Sequence, residues 1–159
     1  MYADQSAKVK IKKYQELSPD AKANLSFTKI DLSNLLEQIM NEFEPIAQEN
    51  LLTVRTIRDQ TPIYGYIDTE KMVCAIDNLL MNALKFSMKP GEITVRLSAE
   101  EQHIYFAVEN MGKPISDEQE KLLFERFYKA DLSRNEHHGS PGAGMGLSIA
   151  KNIVDLHGG

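Results

Sequence analysis

The chain has 159 residues, 42% of them hydrophobic and 26% charged, enough for one globular domain with a sizeable core. Its 18 Lys and Arg against 23 Asp and Glu leave a net charge of −5, which argues against a general nucleic-acid binder. No apolar run reaches the roughly 18 residues of a spanning helix and no secretory signal is visible, so the stretch itself is expected to be soluble and to make no direct membrane contact. The single cysteine, Cys74, excludes an internal disulfide and cannot alone build a structural zinc site.

Residues 1–30 begin polar and basic (Lys8, Lys10, Lys12, Lys13) and are broken at Ser18-Pro19; they read as a short helical remnant followed by a linker. From Asp31, a candidate N-cap, Leu32, Leu35, Leu36, Ile39 and Phe43 follow the spacing of a core-facing helix. Pro45 should kink or end that helix, because proline removes a hydrogen bond and clashes with the preceding turn. Val54 and Ile57, then Ile63 to Ile67, predict two short strands joined through Asp59 to Pro62.

Asp68 is placed to cap the next helix. On it Lys71, Asn78, Asn82 and Lys85 fall within an arc of about 60°, while Met72, Ile76, Leu79, Leu80 and Ala83 cluster opposite. Asparagines at i and i+4 point the same way, and a carboxamide oxygen is a neutral, hard ligand suited to Mg2+, which takes few protein ligands. A solvated helix face would show the same pattern, and this stretch alone leaves both readings open. Cys74, near the polar edge, reads as an incidental small residue.

After the turn Met88-Lys89-Pro90-Gly91, Ile93, Val95 and Leu97 alternate with Thr94, Arg96 and Ser98, and Ile104, Phe106 and Val108 repeat the period beyond Ala99 to Gln102. The pair predicts an antiparallel hairpin. Two glycine-containing segments follow, residues 109–115 and residues 139–147. The second lacks the Gly-Lys-Ser/Thr ending of a P-loop and does not follow a strand as a dinucleotide fingerprint would. Small residues there let backbone amides approach phosphate oxygens, with the positive end of the helix carrying Leu147, Ile149, Ala150, Ile153 and Val154 behind them; a flexible loop is the other reading. Ser116 and Gln119 form a capping box for a short helix ending near Lys129, and residues 130–141 read as a mobile lid that exposes His137 and His138. His103 and His157 read as strand and helix-end residues.

Taken together, Asn78-Leu-Leu-Met-Asn-Ala-Leu-Lys-Phe-Ser87, Asn110 to Ile115, Phe124 to Lys129 and Gly142 to Leu147 resemble, in order, the N box, first glycine box, F box and second glycine box of the ATP-binding catalytic domain of bacterial sensor histidine kinases. The similarity runs from about Ile30 to the end. It implies an α+β fold, a two-layer α/β sandwich of the Bergerat (GHKL) type, with a mixed, mostly antiparallel sheet covered on one face by helices. It implies that Asn82 binds Mg2+ with Asn78 beside it, that Lys85 contacts phosphate oxygens and that Phe86 packs on the nucleotide. Asn110 would meet the adenine amino group, with Gly112 and Ile115 in the loop beside it. Tyr128 and Lys129 would approach the phosphates, and the amides of Gly142, Gly144, Met145, Gly146 and Leu147 would cradle them. Asn78, Lys85 and Lys129 would act on the transferred group.

Three positions depart from the family pattern. Asn110 stands where aspartate is usual and loses a charge-assisted bond to adenine, Pro114 replaces a common glycine, and Lys129 gives a point charge where an arginine fork is frequent. No histidine is followed by the Glu/Asp-Leu-Lys/Arg pattern of the phosphoacceptor helix, and the chain stops at His157-Gly158-Gly159 where relatives continue, so an excised or truncated domain is expected. The Asn-for-Asp change and the Lys113-Pro114-Ile115 continuation also resemble the sensor kinases of vancomycin resistance.

The function implied is supply of the γ-phosphoryl group of Mg-ATP to a histidine on a separate dimerisation domain, from which it passes to a response regulator. The parent protein would be anchored in the bacterial inner membrane with this domain in the cytoplasm. Two other classes are compatible: an anti-sigma serine kinase of the same superfamily, disfavoured by the F box and by the asparagines where a glutamate base is expected, and a non-catalytic nucleotide-binding module.

Overall fold

The computed structural model describes residues 3–13, 25–112 and 146–158. In chain order these form β1 (Ala3–Lys12), β2 (Phe27–Asp31), α1 (Leu32–Glu49), β3 (Leu52–Arg58), β4 (Tyr64–Asp68), α2 (Thr69–Phe86), β5 (Gly91–Ala99), β6 (His103–Gly112) and α3 (Gly146–Leu156). The main sheet is four-stranded, in the order β1-β6-β5-β3, and β2 pairs with β4 in a two-stranded one. Pairing is antiparallel except between β3 and β5.

Strand alternation decides which face the helices cover. Ile93, Val95 and Leu97 of β5 lie in register with Asn110, Val108 and Phe106 of β6, and Val9 and Ile11 of β1 with Phe106 and Ile104. This face joins Leu36, Met40 and Phe43 of α1 and Met72, Ile76, Leu79 and Leu80 of α2 in one buried core. The opposite face is polar: Lys8, Lys10 and Arg96 are exposed, and Arg96 Nε meets Glu109 Oε1 at 3.0 Å. The two-layer sandwich expected from the sequence is therefore the observed architecture.

α1 starts as its cap predicts, with Asp31 Oδ1 accepting from the amides of Ser33 (3.0 Å) and Asn34 (3.2 Å). Pro45 does not end it; the helix continues through the exposed proline to Glu49, which costs one backbone hydrogen bond but leaves the buried stripe through Phe43 and Ala47 intact. Ser33 ties the start of α1 to the β3–β4 connection, its Oγ accepting from the Ile63 amide at 3.2 Å while its carbonyl accepts from Arg58 at 3.0 Å.

The N-terminal segment corrects the sequence reading. Residues 3–12 are no helical remnant: they form a ten-residue edge strand paired along its length with β6. Residues 27–30, expected to be linker, pair with β4. Alternation of Ala7, Val9 and Ile11 with Lys8, Lys10 and Lys12 puts the apolar set on the core face and the lysines outside, and lysines suit an edge because they oppose further pairing. The predicted short helix of residues 116–129, the lid of 130–141 and His137 and His138 lie outside the described residues.

Candidate functional site

α2 is the platform. Asp68 caps it, its Oδ1 accepting from the Lys71 amide at 3.2 Å, and the Ser87 amide closes the other end on the Ala83 carbonyl at 2.9 Å. Met72, Ala75, Ile76, Leu79, Leu80, Ala83 and Leu84 are buried against the sheet and the other helices. The predicted polar arc is turned outward: Asn78 and Asn82 are half-buried, Lys71 and Lys85 exposed. Asn78 Nδ2 donates to the Cys74 carbonyl at 2.9 Å, which fixes the carboxamide and reserves its Oδ1 as an acceptor. Lys85 Nζ lies 5.5 Å from the centre of the Phe86 ring, within cation–π range.

The end of β6 is pinned to the C-terminus of α2. Ser87 bridges Gly112, and the Met88 amide donates to the Met111 carbonyl at 2.6 Å. Asn110 lies two residues earlier in the strand, on its buried side, next to this junction of β6 with α2. Asn110 is only 8% exposed, and its Nδ2 has no hydrogen-bond partner among the described residues. A buried amide without an acceptor forfeits about 1–3 kcal/mol of desolvation, so this carboxamide calls for an acceptor that the described residues do not supply.

α3 packs along α2 and is anchored at the far end. Beyond its last turn, His157 is fully buried; Nδ1 faces the Ile153 carbonyl at 2.8 Å and Nε2 accepts from the Asp68 amide at 3.1 Å. These contacts require the neutral ring with its proton on Nδ1. Burial pushes the His157 pKa below its ordinary value, against the opposing pull of the Ile153 carbonyl and Asp68. Burial pushes Asp68 the other way, but amide bonds from Ser26 and Lys71, with the charge of His157 once it is protonated and that of Lys71, outweigh it and hold the carboxyl below its usual range. With its C-terminus on the N-cap of α2, α3 runs antiparallel to that helix. Its 11 residues, at about 1.5 Å each, bring Gly146 and the positive helix end level with the middle of α2, where Asn78 lies.

Residues 67–159 match the family model of histidine kinase-, DNA gyrase B- and HSP90-like ATPases, more than half of the chain. The chain belongs to that family. Within it, the chain corresponds to the ATP-binding catalytic domain of sensor histidine kinases. It is 33% identical over 132 residues to sensor histidine kinase WalK of Bacillus subtilis, spanning 82% of this chain and 21% of that protein. It is 37% identical over 129 residues to sensor protein VanSC of Enterococcus gallinarum, spanning 81% of this chain and 35% of that one. The chain thus spans about a third or less of these relatives. The solved catalytic domain of histidine kinase ThkA superposes with a TM-score of 0.72 at 21% identity, covering 84% of this chain and 82% of that one, which establishes the fold.

Of the residues expected to form the ATPase site, Asn78, Asn82, Lys85 and Phe86 share the C-terminal half of α2, and Asn110 and Gly112 end the neighbouring strand. Gly146 and Leu147 open α3. Ile115, Tyr128, Lys129, Gly142, Gly144 and Met145 lie outside the described residues. Among the described residues no cluster of three or more His, Cys, Asp or Glu is placed to hold a metal. The donor set still suits Mg2+, which can combine one carboxamide oxygen with phosphate oxygens and water. Sequence reasoning missed the joint between Asp68 and His157, because the burial of a histidine at a helix end depends on what packs over it. Its only sequence trace is an N-cap aspartate and a His-Gly pair at a helix end.

Proposed function

We propose that this domain binds Mg-ATP against the outer face of α2 and presents the γ-phosphoryl group to a histidine on a separate dimerisation domain of its parent kinase. Asn82 would hold Mg2+ through its carboxamide oxygen with Asn78 beside it, and Lys85 would neutralise phosphate oxygens. Phe86 packs on the nucleotide. Asn110 meets the base, with Gly112 and Ile115 in the following segment, while Tyr128, Lys129 and the amides of Gly142, Gly144, Met145, Gly146 and Leu147 surround the phosphates. When bound, Mg2+ would supply positive charge that offsets the phosphates.

The protein's task in such a transfer is positioning and neutralisation rather than covalent chemistry. An imidazole nitrogen of the partner domain forms the new bond to the γ-phosphorus while the bond to the β-phosphate oxygen breaks and ADP leaves. Asn78, Lys85 and Lys129 act on the transferred group, which then passes to a response regulator aspartate. A solved relative, ThkA, is described in complex with a response regulator. Among the described residues no helix is long and apolar enough to cross a membrane. In this reading the domain is cytoplasmic and its parent membrane-anchored.

The observation that carries the reading is the outward arc of Asn78, Asn82 and Lys85 on a helix whose C-terminus is bridged to the end of the strand that carries Asn110, with the buried Nδ2 of Asn110 finding no acceptor among the described residues. Calorimetric titration with ATP, with and without Mg2+, tests it on the chain and on Asn82→Ala. Binding that Mg2+ strengthens in the parent but not in the variant is expected, followed by transfer to a supplied phosphoacceptor domain. Binding with the same Mg2+ dependence in both proteins removes Asn82 from the metal site, and a folded chain that neither binds ATP nor transfers overturns the reading.

A further inference from the structure

Asn110 is a carboxamide held where the nucleobase is proposed to lie, and its Nδ2 is buried without an acceptor among the described residues. A carboxylate in that place could only accept hydrogen bonds. It would suit a 6-amino purine and repel the O6 of a 6-oxo purine. A carboxamide carries a donor and an acceptor on one plane, and rotation about its last bond exchanges them. In one orientation it accepts from the adenine 6-amino group and donates to N1; in the other it donates to the O6 of guanine or hypoxanthine and accepts from their N1–H. Both edges match, and both satisfy the stranded amide.

Selectivity between ligands requires a contact that penalises the wrong one. Asn110 removes that penalty at the base edge. The rest of the described site, the polar arc of α2 and the N-terminus of α3, addresses phosphates and metal, which the two nucleotide classes share. We propose that this domain binds 6-oxopurine nucleoside triphosphates as well as ATP, and that Asn110 is the residue that determines this breadth. The inference rests on the nucleotide-binding reading above.

Displacement of a fluorescent ATP analogue by Mg-ATP, Mg-GTP and Mg-ITP tests it, with ITP separating the 6-oxo group from the guanine 2-amino group. In the parent chain ITP is expected to bind within about tenfold of ATP, a difference of no more than about 1.4 kcal/mol. In Asn110→Asp the preference for ATP over ITP should widen by about tenfold or more while ATP binding persists. If ATP binds the parent but ITP and GTP bind more than about a hundredfold more weakly, the inference fails and the functional reading stands. An unchanged ratio in a folded Asn110→Asp variant likewise removes Asn110 as its cause. Absence of binding by all three nucleotides overturns both. The ratio in the parent chain decides the breadth even if the variant does not fold.

Discussion

Asp68 shows how much one side chain can organise. Its carboxylate accepts from the Lys71 amide that opens α2 and, through Oδ2, from the Ser26 amide at 3.0 Å, while its own amide donates to His157. Asp68→Ala removes the cap and the tie to the segment before β2, and the expected loss is about 1–2 kcal/mol, read as a lower urea midpoint with unchanged slope. Because the folded-state pKa lies below the ordinary 3.8, the carboxylate's contribution is present above that pH and fades as pH falls through the lowered value. In Asp68→Ala that part of the acid limb should be missing. Asn78 makes a different local point: by donating to Cys74 it binds its own helix with one end of the carboxamide and leaves the other for a ligand.

Among elements, α2 was legible and β1 was not. The faces of α2 follow from helical period alone: every residue of the predicted core set, Met72, Ile76, Leu79, Leu80 and Ala83, is buried, joined by Ala75 and Leu84, while Lys71 and Lys85 are exposed and Asn78 and Asn82 half-buried. The signature of β1 is equally regular, Ala7, Val9 and Ile11 against Lys8, Lys10 and Lys12. A run of four lysines near a terminus reads as solvated chain until a partner edge is known, and pairing with β6 spans about a hundred residues of sequence. Ile11, 3% exposed and packed on the core, measures how firmly the strand belongs to the domain. Ile11→Ala should cost about 2–4 kcal/mol in chemical denaturation if β1 is integral to the sheet. A change within about 0.5 kcal/mol would mean that the strand adds little to the folded domain.

At the scale of the whole molecule, the joint at His157 fixes the C-terminal end of α3 on the N-cap of α2. His157 holds that joint in its neutral form, with Phe27 edge-on to its ring at 5.2 Å and the Lys12 amide donating to its carbonyl at 3.3 Å. Its folded-state pKa lies below the ordinary 6.5, so the unfolded chain takes up a proton there before the folded one does. The stabilisation is therefore complete above about pH 6.5 and declines, by at most about 1.4 kcal/mol per pH unit, as pH falls toward the folded-state value. His157→Gln should flatten stability against pH in this window and lower it at pH 7.5 by about 1–3 kcal/mol through the disturbed bond to the Asp68 amide. An unchanged profile in the variant would exclude the histidine as the source of the slope.

Sequence by itself determined the local elements and the chemical character of the site. Helical period divided α2 into a core face and a polar face, strand period fixed the β5–β6 hairpin, and caps at Asp31 and Asp68 marked the helix starts, because each depends only on neighbours a few residues away. Tertiary structure alone decided that residues 3–12 join the sheet, that α1 passes through Pro45, that Asn110 is buried with no acceptor for its amide among the described residues, and that His157 locks α3 to the cap of α2. Those outcomes depend on burial and on hydrogen bonds between residues tens of positions apart, and neither quantity is written in local spacing.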